Sequence, residues 1–432
     1  MTYEEARAFI DDTARYGAVL GLDSVTELMR RLGNPQDELK FVHIAGTNGK
    51  GSTLAYISTI LKEAGYRVGR YISPTIFDYR ERIQVNEEYI TREGVARLAG
   101  QVREACEQMV QDDFSHPTTF EVETAMAFLW FREMNCDIVV LECGMGGLTD
   151  ATNVVKTTLV SVFAEIGLDH MGFLGDTIEK IARVKAGIIK SGVKVVSAAQ
   201  RPEARKVPLE TCQEMKADFR EVSREEIRDI RYGFEEQSFT YKGMKGLKPG
   251  LLGSWQIDNG ALAVEAVLAL GECGFPVTEE QMRKGLARTV WPGRFTVVDR
   301  HPLFVVDGAH NRDAADRLKE TLDLYFPHKR KIFIAGVLAD KEYDYVMGRL
   351  APLADRVITV MTPDNPRALP AESLAEDVKK YNDRVEAAGS LGDAVRRARA
   401  YAGEEDLILA FGSLSYLGEL IRQVRMMPGA GA

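Results

Sequence analysis

Phe41-Val42-His43-Ile44-Ala45-Gly46-Thr47-Asn48-Gly49-Lys50-Gly51-Ser52-Thr53 is the stretch that decides the reading of this chain. The apolar run at 41–44 reads as a buried strand, residues 46–52 as a glycine-rich loop, and LAYISTILKEAG after Thr53 as a helix that stops at a glycine. Strand, glycine loop and helix is the order in which helix N-terminal N–H groups meet a phosphate. The loop departs from G-x-x-x-x-G-K-[ST]: two residues separate Gly46 from Gly49, and Gly51 intervenes before the hydroxyl. The physics is retained. Glycines let the backbone wrap phosphate oxygens, Lys50 brings positive charge, and Ser52 can face phosphate or Mg²⁺, with Thr47 and Asn48 completing the turn. A plain strand-to-helix turn carrying an exposed lysine is the competing reading.

Working outward, the same grammar recurs. Residues 137–141 lead to Gly144-Met145-Gly146-Gly147, residues 159–163 lead to an Asp169-His170 turn, and 193–197 follow a helix ending near Gly192. Continuous apolar strands alternating with helices predict a parallel sheet covered on both faces. Upstream, residues 2–32 read as helical until Gly33-Asn34-Pro35. Downstream, a helical segment over 257–288 ends at Trp291-Pro292-Gly293-Arg294, a rigid and turn-prone hinge. A second alternation follows, with strands near 303–306, 331–335, 356–360 and 407–411. The fold class is therefore α/β: a P-loop-type, mostly parallel sheet domain over 1–294, and a second, smaller α/β domain over 295–432.

A length of 432 residues exceeds one ordinary core and agrees with two domains. With 45% hydrophobic and 28% charged residues the chain is neither disordered nor fibrous. No run reaches the ~20 apolar residues of a membrane span, and the acidic start MTYEEARAFIDD lacks the form of a secretory signal, so a cytoplasmic protein with no membrane partner is expected. A net charge of −9 argues against a nucleic-acid partner. Five scattered cysteines form no C-x-x-C pair, which suggests neither a disulfide framework nor a zinc site, so reduced core or surface thiols are expected. The run REEIRDIR at 224–231 reads as a solvated helix face.

Beyond the loop, an ordered set of segments appears: SPTIFDYRERIQVN, TTFEVETAMAF, LECGMGGLTDATN, IGLDHMGFLGDTIEKIARVKAGI, GSWQIDNGALAVEA, WPGRF, DGAHN and FGSLSYLGE. This succession, over about 17–420, resembles the folylpolyglutamate synthase and dihydrofolate synthase branch of the Mur ligase superfamily, and the ordered set is more specific than any one motif. The resemblance implies a nucleotide-binding domain, a smaller C-terminal domain and an ATP site between them. It also implies a reaction in which ATP phosphorylates a folate or dihydropteroate carboxylate and L-glutamate then displaces the phosphate. Such chemistry calls for cations converging on the transferring phosphoryl group.

By the resemblance, Ser73 and Glu142 fall where the family's Mg²⁺ ligands lie, and hard oxygen donors suit that ion. By themselves they read as a turn hydroxyl and as a strand-end carboxylate capping the Gly144 turn. His170 matches a ligand for a second Mg²⁺, and Lys185 matches a lysine whose carbamylation turns a cation into a metal-holding carboxylate. Asn259 and Arg294 are expected on ATP phosphates, with Asp307 and His310 near the nucleotide's ribose and terminal phosphate. Out of context, DGAHN reads as an Asp-Gly turn with a capping Asn. Phe120 and Asp150 match the pteroate pocket, by stacking and by accepting hydrogen bonds, while Phe120 also reads as plain core. Lys50, Lys185 and His310 are the expected catalytic groups, and a monomer is the expected state.

Five positions depart from the family pattern: Leu148 for an arginine, Val184 for a glutamate, Trp255 for a histidine, Thr296 for a glutamate and Arg312 for a proline. Two rival readings follow. One is a superfamily relative acting on another carboxylate, such as a peptidoglycan precursor; the roughly 45 residues ahead of Gly46 lead us to expect no separate N-terminal substrate domain of that kind. The other is a degenerate nucleotide-binding homologue that has lost ligation.

Overall fold

The computed structural model describes residues 1–17, 19 and 21–427. The first sheet has eight strands: β1 (Phe41–Ala45), β2 (Val68–Tyr71), β3 (Ile83–Val85), β4 (Glu88–Tyr89), β5 (Ile138–Glu142), β6 (Thr158–Phe163), β7 (Lys194–Ser197) and β8 (Asp218–Glu221). Their spatial order is β4-β3-β2-β5-β1-β6-β7-β8. All neighbours pair in parallel except the β2–β3 and β3–β4 pairs at one edge.

The two-residue alternation of β1 shows why both faces are covered. Val42 and Ile44 enter one core with the helices Lys50–Glu63, Gln256–Glu272 and Glu279–Arg288. Phe41 enters the other with Tyr3–Asp12, Asp23–Arg31, Arg92–Gln111 and Thr119–Glu133. Because β5, β1 and β6 are parallel neighbours, the segments after Glu142, Ala45 and Phe163 leave the same edge of the sheet, the place where open α/β sheets bind ligands.

A small antiparallel sheet of β9 (Arg228–Arg231), β10 (Ser238–Tyr241) and β11 (Met244–Leu247) follows. The C-terminal region holds β12 (Thr296–Arg300), β13 (Leu303–Val306), β14 (Lys331–Ala335), β15 (Arg356–Thr359), β16 (Val385–Ala387) and β17 (Leu407–Phe411), ordered β12-β13-β17-β14-β15-β16 with only β12 antiparallel. No strand pairing among the described residues joins the eight-stranded sheet to the six-stranded one.

Three expectations need correction. The helical reading of 2–32 divides into Tyr3–Asp12, a short 3₁₀ turn and Asp23–Arg31, separated where Gly17 and Gly21 take positive φ; residues 18 and 20 within that reading lie outside the described residues. The segment 257–288 is two helices, broken where Gly274 takes φ 93 ahead of Phe275-Pro276. REEIRDIR is not a helix face: Arg228–Arg231 is a fully exposed edge strand, whose alternating charges blunt its free edge.

Candidate active site

The loop after β1 is held open by fixed neighbours. Gly46 has φ 154 and Gly49 φ 86, and a Cβ on Gly49 would lie 2.5 Å from Asn259 Oδ1, so both the backbone and the space call for glycine. Gly49 caps the helix Lys50–Glu63, whose first N–H groups face the cleft. On the β6 side, Thr47 N donates to Glu165 O at 2.7 Å, and Thr47 Oγ1 lies 2.9 Å from Gly167 O and 3.0 Å from Gly167 N. Ser52 is buried, and its Oγ accepts from Gln256 Nε2 at 3.2 Å; Gln256 Oε1 in turn accepts from Asn259 Nδ2 at 3.1 Å. Gln256, which was not among the expected site residues, thus ties the loop serine to Asn259.

Two lysines converge on one carbonyl. Lys50 Nζ donates to Gly46 O at 3.2 Å, and Lys185 Nζ donates to the same oxygen at 2.7 Å. Burial, then the neighbouring Lys50 charge, pushes the Lys185 ammonium down to about 7. Glu142, at the end of β5, lies 4.0 Å from Lys50 Nζ. Burial raises its carboxyl above the usual range, against the pull of Lys50, Arg294 and the Ser73 N–H.

Across the cleft stands the turn after β13. Asp307 is buried, and its two oxygens accept from Phe295 N and Ala309 N, each at 2.8 Å. It therefore braces Arg294's neighbour against the DGAHN turn. His310 Nδ1 sits 2.7 Å from Gly308 O, and burial lowers its imidazolium to about 4, leaving a neutral ring at pH 7. Asn311 and Asn48 exchange hydrogen bonds of 3.0 and 3.4 Å across the cleft. Asp169 is the second crossing: it pairs with Lys341 at 2.7 Å and lies 3.8 Å from His170 Nε2 and 4.0 Å from His310 Nε2. Lys341 was not foreseen, because a single lysine after an Ala-Asp pair carries no motif.

These groups line a cleft of about 190 Å³ that includes residues 47–52, Glu142, His170, Asn259, Arg294 and His310. A larger cleft of about 510 Å³ adjoins it, lined by Phe120, Asp150, Lys341 and Arg367 among others. The two share Ser73, Pro74, Gly144, His170, His310 and Leu414. Phe120 lies against Gly144, where a Cβ would come within 2.6 Å of its ring. Asp150 Oδ2 accepts from Met145 N at 2.8 Å, and Oδ1 accepts from Thr152 N at 3.0 Å and Thr152 Oγ1 at 2.5 Å. Every expected site residue thus lines one or both clefts except Gly46 and Lys185, which lie directly beneath them joined by the shared hydrogen bond.

The departures have visible places. Trp255 lines the smaller cleft and packs edge-on against Phe295, with ring centres 6.3 Å apart. Leu148 is about half exposed, Val184 packs beneath Gly146, and Arg312 bonds Glu342 at 2.9 Å. Thr296 begins β12, and nothing in the structure explains why a threonine stands there.

Comparison with known proteins agrees with this architecture. Residues 44–267 match the Mur ligase middle domain, and 293–414 match the Mur ligase, glutamate ligase domain. The chain is 35% identical to the dihydrofolate synthase/folylpolyglutamate synthase of Bacillus subtilis, covering 98% of this chain and 99% of that protein. It is 36% identical to the folylpolyglutamate synthase of Lacticaseibacillus casei, covering 98% of each. A solved structure described as an FPGS-AMPPCP-folate complex superposes with a TM-score of 0.84 at 32% identity, covering 99% of this chain and 100% of the other. With two Mur ligase domains in order and near-complete relatives above 30% identity, the chain belongs to the folylpolyglutamate synthase/dihydrofolate synthase family of Mur-type ATP-dependent ligases.

Proposed function

We propose that this enzyme joins L-glutamate to a folate-type carboxylate, of dihydropteroate, of tetrahydrofolates or of both, releasing ADP and phosphate. The observation that carries the reading is the junction of the two clefts. The smaller has the donors of a phosphate site, and the larger has the size of an ordinary ligand pocket and an aromatic ring at its wall. They meet at Ser73, Gly144, His170 and His310, so a carboxylate from one can reach a terminal phosphate in the other.

On this reading Lys50, Arg294 and the loop N–H groups gather charge on the transferring phosphoryl group. A carboxylate oxygen of the acceptor attacks the γ-phosphorus and ADP leaves. The amino group of glutamate then attacks the acyl carbon, the acyl C–O bond breaks, and phosphate departs with the acceptor's oxygen. Asn259 and Asp307 hold the nucleotide side, while Phe120 and Asp150 hold the acceptor. Lys341 and Arg367 in the larger cleft give the second domain cationic partners for the carboxylates of the incoming amino acid.

Mg²⁺ fits the donors present. No group of three or more His, Cys, Asp or Glu side chains among the described residues is placed to hold an ion alone. Glu142 and Ser73 instead line the phosphate cleft, and Mg²⁺ in such sites takes one or two carboxylates and completes its shell with phosphate and water. When bound, it supplies charge neutralisation at the phosphates. Glu142 and Ser73 would hold one ion and His170 a second. We infer carbamylation of Lys185, which needs a neutral amine; what supports this reading is its burial, which disfavours the ammonium. Bicarbonate depletion that lowers activity, and carboxylic acids that partly rescue Lys185→Ala, are the expected signs. We take residues 1–294 and 295–432 as the two working domains, with the hinge at 292–300, in a cytoplasmic monomer.

The test is product analysis by mass spectrometry after incubation with ATP and L-glutamate, plus dihydropteroate, tetrahydrofolate or no acceptor. An acceptor heavier by one glutamyl residue, formed only with ATP, is expected. ATP binding with no glutamylated product from either acceptor would reject the reading in favour of a degenerate homologue or a different carboxylate.

A further inference from the structure

We propose that His43 is a positioning residue for the acceptor end of the site: as its Nε2–H tautomer it holds Thr152, and through the Thr152 hydroxyl it fixes the carboxylate of Asp150. The proposal rests on the reading of Asp150 as an acceptor contact. His43 lies within β1, three residues ahead of the phosphate loop, and is fully buried. A histidine in a strand buried on both faces needs an explanation, because each polar ring nitrogen must find a partner or carry the cost of lacking one.

The hydrogen bonds determine the direction of the chain. His43 Nε2 lies 2.9 Å from Thr152 Oγ1 and 3.1 Å from Cys143 Sγ. Thr152 Oγ1 lies 2.5 Å from Asp150 Oδ1. Burial raises the Asp150 carboxyl above the usual range, against the N–H of Met145 on Oδ2 and that of Thr152 on Oδ1; with both oxygens accepting from backbone donors, the carboxylate is the form the geometry fits. The single hydroxyl proton of Thr152 therefore goes to Asp150. Its oxygen is left as an acceptor towards His43, and Nε2 must carry the ring hydrogen.

The opposite tautomer would accept the weak S–H of Cys143 but would set the Nε2 lone pair against the oxygen of Thr152 at 2.9 Å. It would also place the hydrogen on Nδ1, which has no hydrogen-bond partner. An orphaned buried N–H together with a repulsive lone-pair contact costs more than one unpaired lone pair. The doubly protonated ring is excluded as well: burial, then the charge of Lys190, pushes the imidazolium down to about 3.

One ring thereby braces two segments from beneath. Cys143 stands between Glu142 at the phosphate cleft and Gly144 at the junction of the clefts. Thr152 follows Asp150 at the start of the short helix Ala151–Val154, where Asp150 itself serves as the cap. The loop over 144–150 is thus suspended between β5 and a helical turn, both referred to the rigid centre of β1. Two backbone N–H groups also hold Asp150, and the Nε2–H donor adds the link that ties its third hydrogen bond, from the Thr152 hydroxyl, to the centre of β1.

The test combines a spectroscopic measurement on the unaltered enzyme with kinetics on variants. In the enzyme labelled with ¹⁵N-histidine, His43, identified by its absence from the His43→Gln spectrum, is expected to show a protonated Nε2 and a bare Nδ1. A proton on Nδ1 overturns the proposal. His43→Met, which removes the donor, is expected to raise KM for dihydropteroate or tetrahydrofolate about tenfold and to leave KM for ATP within about twofold, the size of effect of one positioned hydrogen bond. His43→Gln, which keeps an N–H near the Nε2 position, should recover most of that loss. Acceptor and ATP constants that rise together, or a His43→Gln enzyme as impaired as His43→Met, would show a merely structural residue. Should His43→Met fail to fold, Thr152→Val against Thr152→Ser makes the same comparison, with only the serine expected to behave as the native enzyme. If the native enzyme glutamylates neither acceptor, it is the proposed function that fails, and the tautomer measurement still decides the hydrogen-bond chain.

Discussion

The loop after β1 and the turn after β13 face one another across the same cleft, and each follows a buried parallel strand with a glycine-containing bend. They are built on different principles. The first leaves its charge facing the cleft: Lys50 hydrogen-bonds carbonyls at 3.2 and 3.4 Å, with the Glu142 carboxylate 4.0 Å away, and the helix N-terminus is open to the cleft. The second spends its charge internally, with both Asp307 oxygens on backbone N–H groups and His310 Nδ1 against Gly308 O. The first is an anion cradle waiting for a ligand, whereas the second is a braced wall that presents Arg294 and the outer nitrogen of His310. The Asn48–Asn311 amide pair joins the two directly, with an Asp169–Lys341 ion pair and an Arg201–Asp313 pair at 2.6 Å nearby, while Trp255, Phe234 and Leu252 pack against the C-terminal core and Ile76 and Phe77 against its other face.

The most damaging way to break this comparison is to neutralise the cradle. Lys50→Ala should lower kcat by about a thousandfold, because a preorganised charge on the transferring group is worth about 4 kcal/mol in such sites. The melting temperature should hardly move, since the ammonium packs against no apolar core. A variant with native turnover would remove the loop from the phosphate site. Next comes Gly49→Ala. At φ 86, with Asn259 Oδ1 only 2.5 Å from the added methyl, the loop must shift, and ATP affinity should fall about a hundredfold in a titration. Unchanged affinity would show that the cradle is not rigid.

On the wall, Lys341→Met removes one side of the crossing pair and leaves the partly buried Asp169 facing His170 and His310. Activity should fall about tenfold through a raised KM for glutamate, with folding retained, and scattering should show a wider cleft. An enzyme with native KM values would mean that this pair neither closes the cleft nor meets substrate. Leu148→Arg restores the family's residue at a half-exposed position, and should change stability by less than about 0.5 kcal/mol in denaturant unfolding. A larger change would show that Leu148 packs against more than its loop.

The same contrast explains what could be read before the structure. The cradle was legible because its physics is local: a strand run, glycines where φ is positive, a lysine and a helix lie within thirteen consecutive residues. The α/β class was legible for a similar reason, since short apolar runs such as 138–142 and 331–335, bounded by turn residues and alternating with helical stretches, suit strands buried on both faces. The wall was readable only through its resemblance to a family, because Asp307 and His310 by themselves look like a turn. Lys341 and Gln256 escaped because their importance comes from partners 172 and 204 residues away. Short edge strands such as Glu88–Tyr89 and Val385–Ala387 escaped because two or three residues carry no periodicity. REEIRDIR misled because charges at helical spacing also suit an exposed edge strand.

The central claim is that an acceptor carboxylate in the larger cleft takes the phosphoryl group held by the cradle. It is tested most directly with dihydropteroate or a tetrahydrofolate labelled with ¹⁸O in the reacting carboxylate. After turnover with ATP and L-glutamate, the released phosphate should carry one ¹⁸O per glutamate added, because the bond broken in the second step leaves that oxygen on phosphorus. Glutamylated product accompanied by phosphate free of ¹⁸O would contradict the account, and would mean that the two clefts do not exchange a phosphoryl group at their junction.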